Sequence, residues 1–370
     1  MIYFDSAATT LQKPPAVARA VARAIETHAS AGRGGHPAAE RAAQTVFACR
    51  REAAALFGAA PEQVVFTMNA THGLNLAIKT LVKPGGRAVV SGFEHNAVMR
   101  PLHALGAELT VVGTALFRPD RLLEELAQAL AHRPDAVICT HVSNVFGYIL
   151  PIAEIAALCR MHAVPLIVDA SQSAGTLPIS LEQTGAAFLA MPGHKGLYGP
   201  QGTGLLLCAR PADPLLEGGT GSNSELPQMP DFLPDRLEAG THNVCGIAGL
   251  LEGLRFVRRT TPECIFRREQ TLTRLLQRQT AGISGLHGYF GAPQSGVVSF
   301  RTNETDCEEA ARRLSAAGIA VRAGLHCAPR AHQSAGTLER GTLRVSFSAF
   351  STPAEVYRFA AACNRLFSKK

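Results

Sequence analysis

Pro165-Leu166-Ile167-Val168-Asp169-Ala170-Ser171-Gln172 is an apolar, β-branched run that ends in a carboxylate. Its core is apolar at consecutive rather than alternate positions. Such a pattern reads as a strand covered on both faces, as in the interior of a parallel sheet. Asp169 then lies at the strand's carboxyl end, where open α/β sheets bind ligands. Upstream, residues 63–67, 87–90, 108–112 and 135–141 read as further strands, and residues 14–28, 38–57, 121–132 and 151–162 as helices. Strands alternating with helices predict a mostly parallel, doubly wound sheet. This large domain is expected over residues 14–245. A smaller α/β domain is expected over 246–370, with residues 1–13 joining the two. Residues 211–235, rich in Gly, Pro and Ser, read as a long surface loop at a subunit contact or the site mouth. A long helical region follows, to about residue 279.

Downstream of the Asp169 strand, a second apolar run leads into Met191-Pro192-Gly193-His194-Lys195-Gly196-Leu197-Tyr198-Gly199. Lys195 is the only lysine between Lys83 and Lys369. One reading is an exposed lysine in a hairpin loop. The other is a desolvated amine whose lowered pKa favours covalent chemistry with a carbonyl. A strand-end lysine together with a strand-end aspartate supplies two parts of a pyridoxal 5′-phosphate (PLP) site: the amine holds the aldehyde, and the carboxylate keeps the pyridine nitrogen protonated. Asn69-Ala70-Thr71-His72-Gly73 lies between a strand and a helix expected to open at Leu74. It reads either as a plain N-cap at Thr71 or as a phosphate cradle on the helix dipole. Glu94-His95, Asn144, Asp169-Gln172 and His194-Lys195 all fall just past expected strand ends, which places them in one pocket.

From Phe4-Asp5-Ser6-Ala7-Ala8-Thr9-Thr10 to Arg344, in order, these motifs resemble the cysteine desulfurases among class V aminotransferases of PLP fold type I. The resemblance implies that Lys195 binds PLP, that His95 stacks on its ring and relays protons, and that Asp169 meets the ring nitrogen. It further implies that Asn144 and Gln172 donate to the cofactor phenolate oxygen. Ala70, Thr71, His72 and His194 would hold the phosphate. Thr241, in Glu238-Ala239-Gly240-Thr241-His242-Asn243, would reach a phosphate in the neighbouring subunit, so a homodimer is expected. Arg344 resembles the clamp on the substrate carboxylate, with Ala8 and Asn144 beside it. Ser30-Ala31-Gly32-Arg33-Gly34-Gly35-His36 reads equally as a helix connection or a pocket rim, and the resemblance favours an active-site entrance. Pro192 departs from the family's phosphate-binding serine and can donate neither a hydroxyl nor an amide hydrogen. Phe350-Ser351-Thr352 departs from its tyrosine-asparagine-threonine.

Nine cysteines include no CxxC pair, which suggests reduced thiols and a cytoplasmic protein. Cys49, Cys139, Cys159 and Cys208 lie in apolar text and read as buried small hydrophobes. Cys327 lies instead in Arg322-Ala323-Gly324-Leu325-His326-Cys327-Ala328-Pro329, bounded by glycine and proline. A thiol there is open to activation by nearby cations or a histidine. The stretch resembles the desulfurase persulfide loop in its compact form. The expected reaction converts L-cysteine to L-alanine and leaves the sulfur on Cys327 for an unidentified acceptor protein, as in iron–sulfur cluster assembly. L-Selenocysteine lyase, aminotransferase and epimerase activities remain as alternatives. The 370 residues are 46% hydrophobic and contain no run of membrane-spanning length. The net charge of +7 comes from scattered arginines without interleaved aromatics, which argues against nucleic acid and for an acidic protein partner.

Overall fold

The computed structural model describes residues 1–32, 34–303 and 305–368. In chain order, strand β1 (Ile2–Tyr3) is followed by helices α1 (Pro15–Thr27) and α2 (Pro37–Phe57). Then come β2 (Val64–Thr67), α3 (Ala70–Leu81), β3 (Arg87–Ser91), α4 (Asn96–Ala104) and β4 (Glu108–Val112). The alternation continues with α5 (Pro119–Leu130), β5 (Ala136–Thr140), α6 (Ile152–Met161) and β6 (Leu166–Asp169). A short α7 (Leu181–Thr184) leads to β7 (Phe188–Pro192) and β8 (Gly204–Cys208).

These strands form one seven-stranded sheet in the order β2-β8-β7-β6-β5-β3-β4. Pairings β3–β4, β3–β5, β5–β6 and β6–β7 are parallel, whereas β8 runs antiparallel to both β2 and β7. The sheet is therefore mostly parallel, with one reversed strand. Strands β5 to β8 are buried at every residue, which is why they read as continuous apolar runs. Two apolar clusters cover its faces, one containing Val89, Val168 and Leu189, the other Val90, Ile167 and Ala190.

The chain continues through α8 (Val244–Thr260) and α9 (Pro262–Thr280). The helical region expected over this span is thus two helices, broken at Thr261, which adopts φ +66° and caps α9 through its side chain. Helix α8 runs through position 246, packs on α1 and α2, and shares the apolar cluster on one face of the large sheet through Ile247, Leu250 and Leu254.

A second sheet is built from β9 (Leu286–Gly288), β10 (Val297–Thr302), β12 (Arg322–Gly324) and β13 (Thr342–Ser346) in the order β12-β13-β10-β9. Helix α10 (Cys307–Ala316) and strand β11 (Ile319–Ala320) precede β12. Helix α11 (Pro329–Ser334) separates β12 from β13, and α12 (Pro353–Phe367) follows β13. Leu272, Val298, Leu343 and Phe359 form the core of this body, with Ile2 and Phe4 inserted into it. The N-terminal segment enters because β1 pairs in parallel with β11 and Asp5 bridges to Ser346. No helix among the described residues is long and apolar enough to cross a membrane.

Candidate active site

Past the carboxyl ends of the parallel strands lies a cavity of about 290 Å³. Of the residues expected in the site, Ala8, Ala70, Thr71, His95, Asn144, Asp169, Gln172, His194 and Lys195 line it. Its wall also contains Pro192 and Ser171.

Lys195 lies on the turn between β7 and β8. The turn is closed by Gly193 N–H donating to Thr203 O (2.8 Å), Tyr198 N–H to Lys195 O (2.9 Å) and Gly199 N–H to Gly193 O (2.7 Å). A Cβ on Gly196 would collide with the carbonyl oxygen of Ala174, so only glycine lets the turn lie against that backbone. From the N-terminal segment, Thr10 donates through its N–H (3.1 Å) and Oγ1 (3.0 Å) to His194 O. Lys13 Nζ donates in turn to Thr10 Oγ1 (2.9 Å). Burial lowers the Lys195 pKa to about 8 against the opposing charge of Asp169. Its amine therefore reaches the neutral form far more readily than a solvated lysine. This favours the desolvated amine over the exposed hairpin lysine.

Asp169 ends β6 in register with Thr140 on β5 and Ala190 on β7. It is 3% exposed, and its Oδ1 accepts from Ser171 N–H (2.9 Å). His95 is the N-cap of α4, and its Nδ1 accepts from Ala97 N–H (3.0 Å), so the neutral ring carries its proton on Nε2. Burial holds this imidazole well below its ordinary pKa, partly countered by Asp169 and reinforced by Lys195.

Glu94 has a part that sequence reasoning did not assign. Fully buried, its Oε1 accepts from Ser91 Oγ (2.5 Å) and Thr140 N–H (2.8 Å), which ties the ends of β3 and β5 together just before His95. Burial raises its pKa to about 8, and the nearby Asp169 adds to the rise. Glu94 thus stands behind the cavity wall with its carboxyl held toward the neutral form. Only the order Glu94-His95 past a strand end hinted at this, since Thr140 is remote in sequence.

Helix α3 begins at Ala70, not at Leu74, and its N-cap is Asn69 rather than Thr71. Asn69 Oδ1 accepts from His72 N–H (2.9 Å), which makes residues 70–73 the helix's first turn. The turn approaches the sheet because Gly204 lacks a side chain: a Cβ there would lie 2.8 Å from Asn69 Cα. Ala70 and Thr71 thereby bring the positive end of a helix dipole to the cavity wall. His72 and Thr241 do not line this cavity. They share a separate one of about 230 Å³ with Met68, Gly202 and Leu216. Glu238, four residues before His242, accepts from Arg50 Nη2 (2.8 Å), Phe66 N–H (2.6 Å) and His242 Nε2 (2.7 Å), which fixes the segment carrying Thr241.

Several side chains have partners that the sequence did not reveal. Gln172 Nε2 donates to Ala7 O (2.9 Å), and Asn144 Nδ2 donates to His326 O (2.8 Å). His194 Nδ1 is 3.0 Å from Thr9 Oγ1. Arg344, 2% exposed, lies behind the cavity wall rather than on it: Nη1 donates to Asn144 O (3.0 Å) and Nη2 to Asp5 Oδ1 (2.7 Å). Both terminal nitrogens of the expected carboxylate clamp are thus already engaged, and the buried Nε has no partner among the described residues. Arg33 of the expected entrance loop lies outside the described residues, and His36 is the N-cap position of α2.

Cys327 is exposed, in the turn between β12 and α11, and all nine cysteines are free thiols. Its carbonyl accepts from Asn96 N–H (2.8 Å), next to His95. The turn is closed by Ala328 N–H donating to Leu325 O (2.9 Å).

The class-V aminotransferase family matches residues 2–359, and the chain belongs to it. Proteins of this family carry PLP. Among curated relatives, a probable cysteine desulfurase of Methanothermobacter thermautotrophicus is 31% identical over 374 residues, covering 96% of this chain and 92% of its own. One from Xylella fastidiosa is 33% identical, covering 98% and 90%. Among solved structures, the apo cysteine desulfurase of Thermococcus onnurineus superposes with a TM-score of 0.91 at 29% identity, covering 99% and 94%. The Escherichia coli cysteine desulfurase CsdA superposes at 0.86 and 26%, covering 98% and 94%.

The cavity fits PLP. A desolvated amine and a buried carboxylate that accepts through Oδ1 line the same cavity, and the first turn of a helix forms part of its wall. Pro192 occupies the wall without offering a donor, and the first turn of α3 and His194 lie on the same wall.

Proposed function

We propose that this protein is a PLP-dependent cysteine desulfurase that converts L-cysteine to L-alanine and takes the sulfur onto Cys327. One juxtaposition carries the reading. The loop bearing an exposed thiol is hydrogen-bonded to Asn96, directly beside His95 on the wall of the Lys195 cavity. A cofactor enzyme without sulfur transfer has no use for that thiol, and a sulfur carrier without a cofactor has no use for Lys195.

Asp169 would hold the ring nitrogen, His95 the ring face, Asn144 and Gln172 the phenolate side, and Ala70, Thr71 and His194 the phosphate. When bound, PLP supplies an aldehyde for the substrate amine and an electron-accepting ring that labilises bonds at Cα and Cβ. The Lys195 amine, held near pKa 8, takes and returns the Cα proton. Glu94, neutral by burial, leaves Asp169 as the carboxylate beside the ring nitrogen. The substrate carboxylate would meet Asn144 on the wall, and Arg344 behind it would reach the substrate only on releasing Asp5 or the Asn144 carbonyl. The Cys327 thiolate attacks the substrate sulfur: the S–S bond forms, the Cβ–S bond breaks with its electron pair on carbon, and Cβ gains a proton. Carbon is reduced, sulfur is oxidised by two electrons, and the products are L-alanine and an enzyme persulfide.

The reading includes a homodimer in which Thr241 serves the neighbouring site, a sulfur-acceptor protein feeding processes such as iron–sulfur cluster assembly, and a cytoplasmic location. L-Selenocysteine is the related substrate, selenium being the better leaving group. Purified protein supplied with L-cysteine and a reductant should release sulfide and alanine in equal amounts. Alanine-free turnover, or transamination of the amino acid, would overturn the assignment.

A further inference from the structure

The turn that carries Cys327 is not built from residues that favour its shape. His326 and Cys327 both adopt left-handed backbone conformations, φ +50° and +55°, two in succession without a glycine. Each such step costs on the order of 1–2 kcal/mol and persists only where the surroundings impose it. The restraints can be named. Beneath the turn, the buried His326 ring stands on β13, with Nε2 3.1 Å from Thr342 O and 3.2 Å from Thr342 Oγ1. Above it, two groups from the cofactor side grip successive carbonyls: Asn144 Nδ2 takes His326 O at 2.8 Å, and Asn96 N–H takes Cys327 O at 2.8 Å.

Asn144 differs from the other restraints. Its amide is buried, it lines the cavity, and its own backbone carbonyl is held by Arg344 Nη1 at 3.0 Å. A primary amide has two N–H donors and one carbonyl acceptor. With one N–H committed to His326 O, the other N–H and Oδ1 remain for whatever fills the cavity. We infer that Asn144 is a positioning residue for the Cys327 turn, bridging cavity and turn so that filling the cavity steadies the sulfur-accepting thiol. This inference deepens the desulfurase reading and rests on it for the thiol's chemistry, but the mechanical coupling is independent of that reading.

Hydrogen exchange, read by mass spectrometry on the peptide spanning residues 322–331, tests the coupling without an activity assay. In the unloaded protein, Asn144→Asp, which keeps the shape but loses the donor, and Asn144→Ser should exchange this peptide roughly fivefold faster than wild type, as expected for one lost buried hydrogen bond. A peptide within α9 serves as the internal reference. Asn96→Pro removes the second tether at the first helical position, where proline is accepted, and should loosen the same peptide. On loading with PLP, wild type should slow its exchange in 322–331, and both Asn144 variants should not. The inference is overturned if the Asn144 variants exchange like wild type, if only Asn96→Pro has an effect, or if loading protects the turn equally in all. Failure to take up PLP, seen by absorbance, would count against the cofactor reading and leave the comparison of unloaded proteins decisive for the coupling.

Discussion

Lys195 and Cys327 both follow a strand, yet their settings differ in almost every respect. The lysine follows β7, which is paired on both sides, by β6 and β8, inside the large sheet. The thiol follows β12, the edge strand of the small sheet, and its turn keeps its shape through contacts reaching over from the other body. Burial gives the lysine its reactivity by stripping the amine of water. The cysteine stays exposed, which would suit the proposed passing of sulfur to another molecule. One half of the site is thus built for desolvation and the other for delivery.

The sharpest way to break this contrast is to delete each half separately. Lys195→Ala should lower alanine formation from L-cysteine on the order of 10³-fold or more. It should also abolish the borohydride-fixed cofactor label on the peptide containing residue 195; a label on Lys13, Lys79 or Lys83 would move the assignment. Cys327→Ser should lower sulfide release on the order of 10²-fold while sparing cofactor absorbance and exchange of the substrate Cα proton, both set by the Lys195 half. Full desulfuration in the serine variant would remove the persulfide from the mechanism. Selenocysteine cleavage should be affected less.

Asp169→Asn should keep the fold and most bound cofactor but lose roughly tenfold to a hundredfold in turnover; unchanged turnover would place the functional carboxylate elsewhere. The smallest effect concerns Glu94, whose folded pKa, about 8, lies above its unfolded value of about 4.3. Below pH ~4.3 the carboxyl is protonated in both states. As pH rises toward 8 only the unfolded chain ionises, so stability is lost across that window. Glu94→Gln cannot ionise, and its Tm should fall less between pH 5 and pH 8, by about 2–4 °C. Glu269, also buried with a pKa raised to about 8, contributes the same slope to both proteins. Parallel Tm curves would show that Glu94 is ionised in the folded state.

Much of the large sheet was legible because its central strands are covered on both faces. The spans read at 135–141 and 165–169 each enclose a fully buried strand, β5 and β6. Strands of two or three residues, such as β1 and β9, are too short to show a period and escaped notice. The break at Thr261 escaped too, although Thr261-Pro262 is the pattern of an N-cap followed by a first-turn proline. Within the site, positions past strand ends could be read, but partners could not. Asn144 meets a carbonyl 182 residues away, and Gln172 one 165 residues away. No local signal encodes such pairings, so the occupied hands of Asn144, Gln172 and Arg344 emerged only from the fold.

Residues 2–10 pair with β11, bridge to Ser346, hold Arg344 through Asp5 and bond the backbone of His194. Every one of these partners lies more than 180 positions further along the chain. A polypeptide emerging from the ribosome therefore carries residues 2–5 without their partners on β11 and β13 until those strands have been made, whereas Thr10 can meet His194 much earlier. The large sheet can close before those partners exist, but Arg344 meets Asp5 only once β13 has formed. The opening segment is thus fastened in two stages, first to the lysine turn and later to the small sheet.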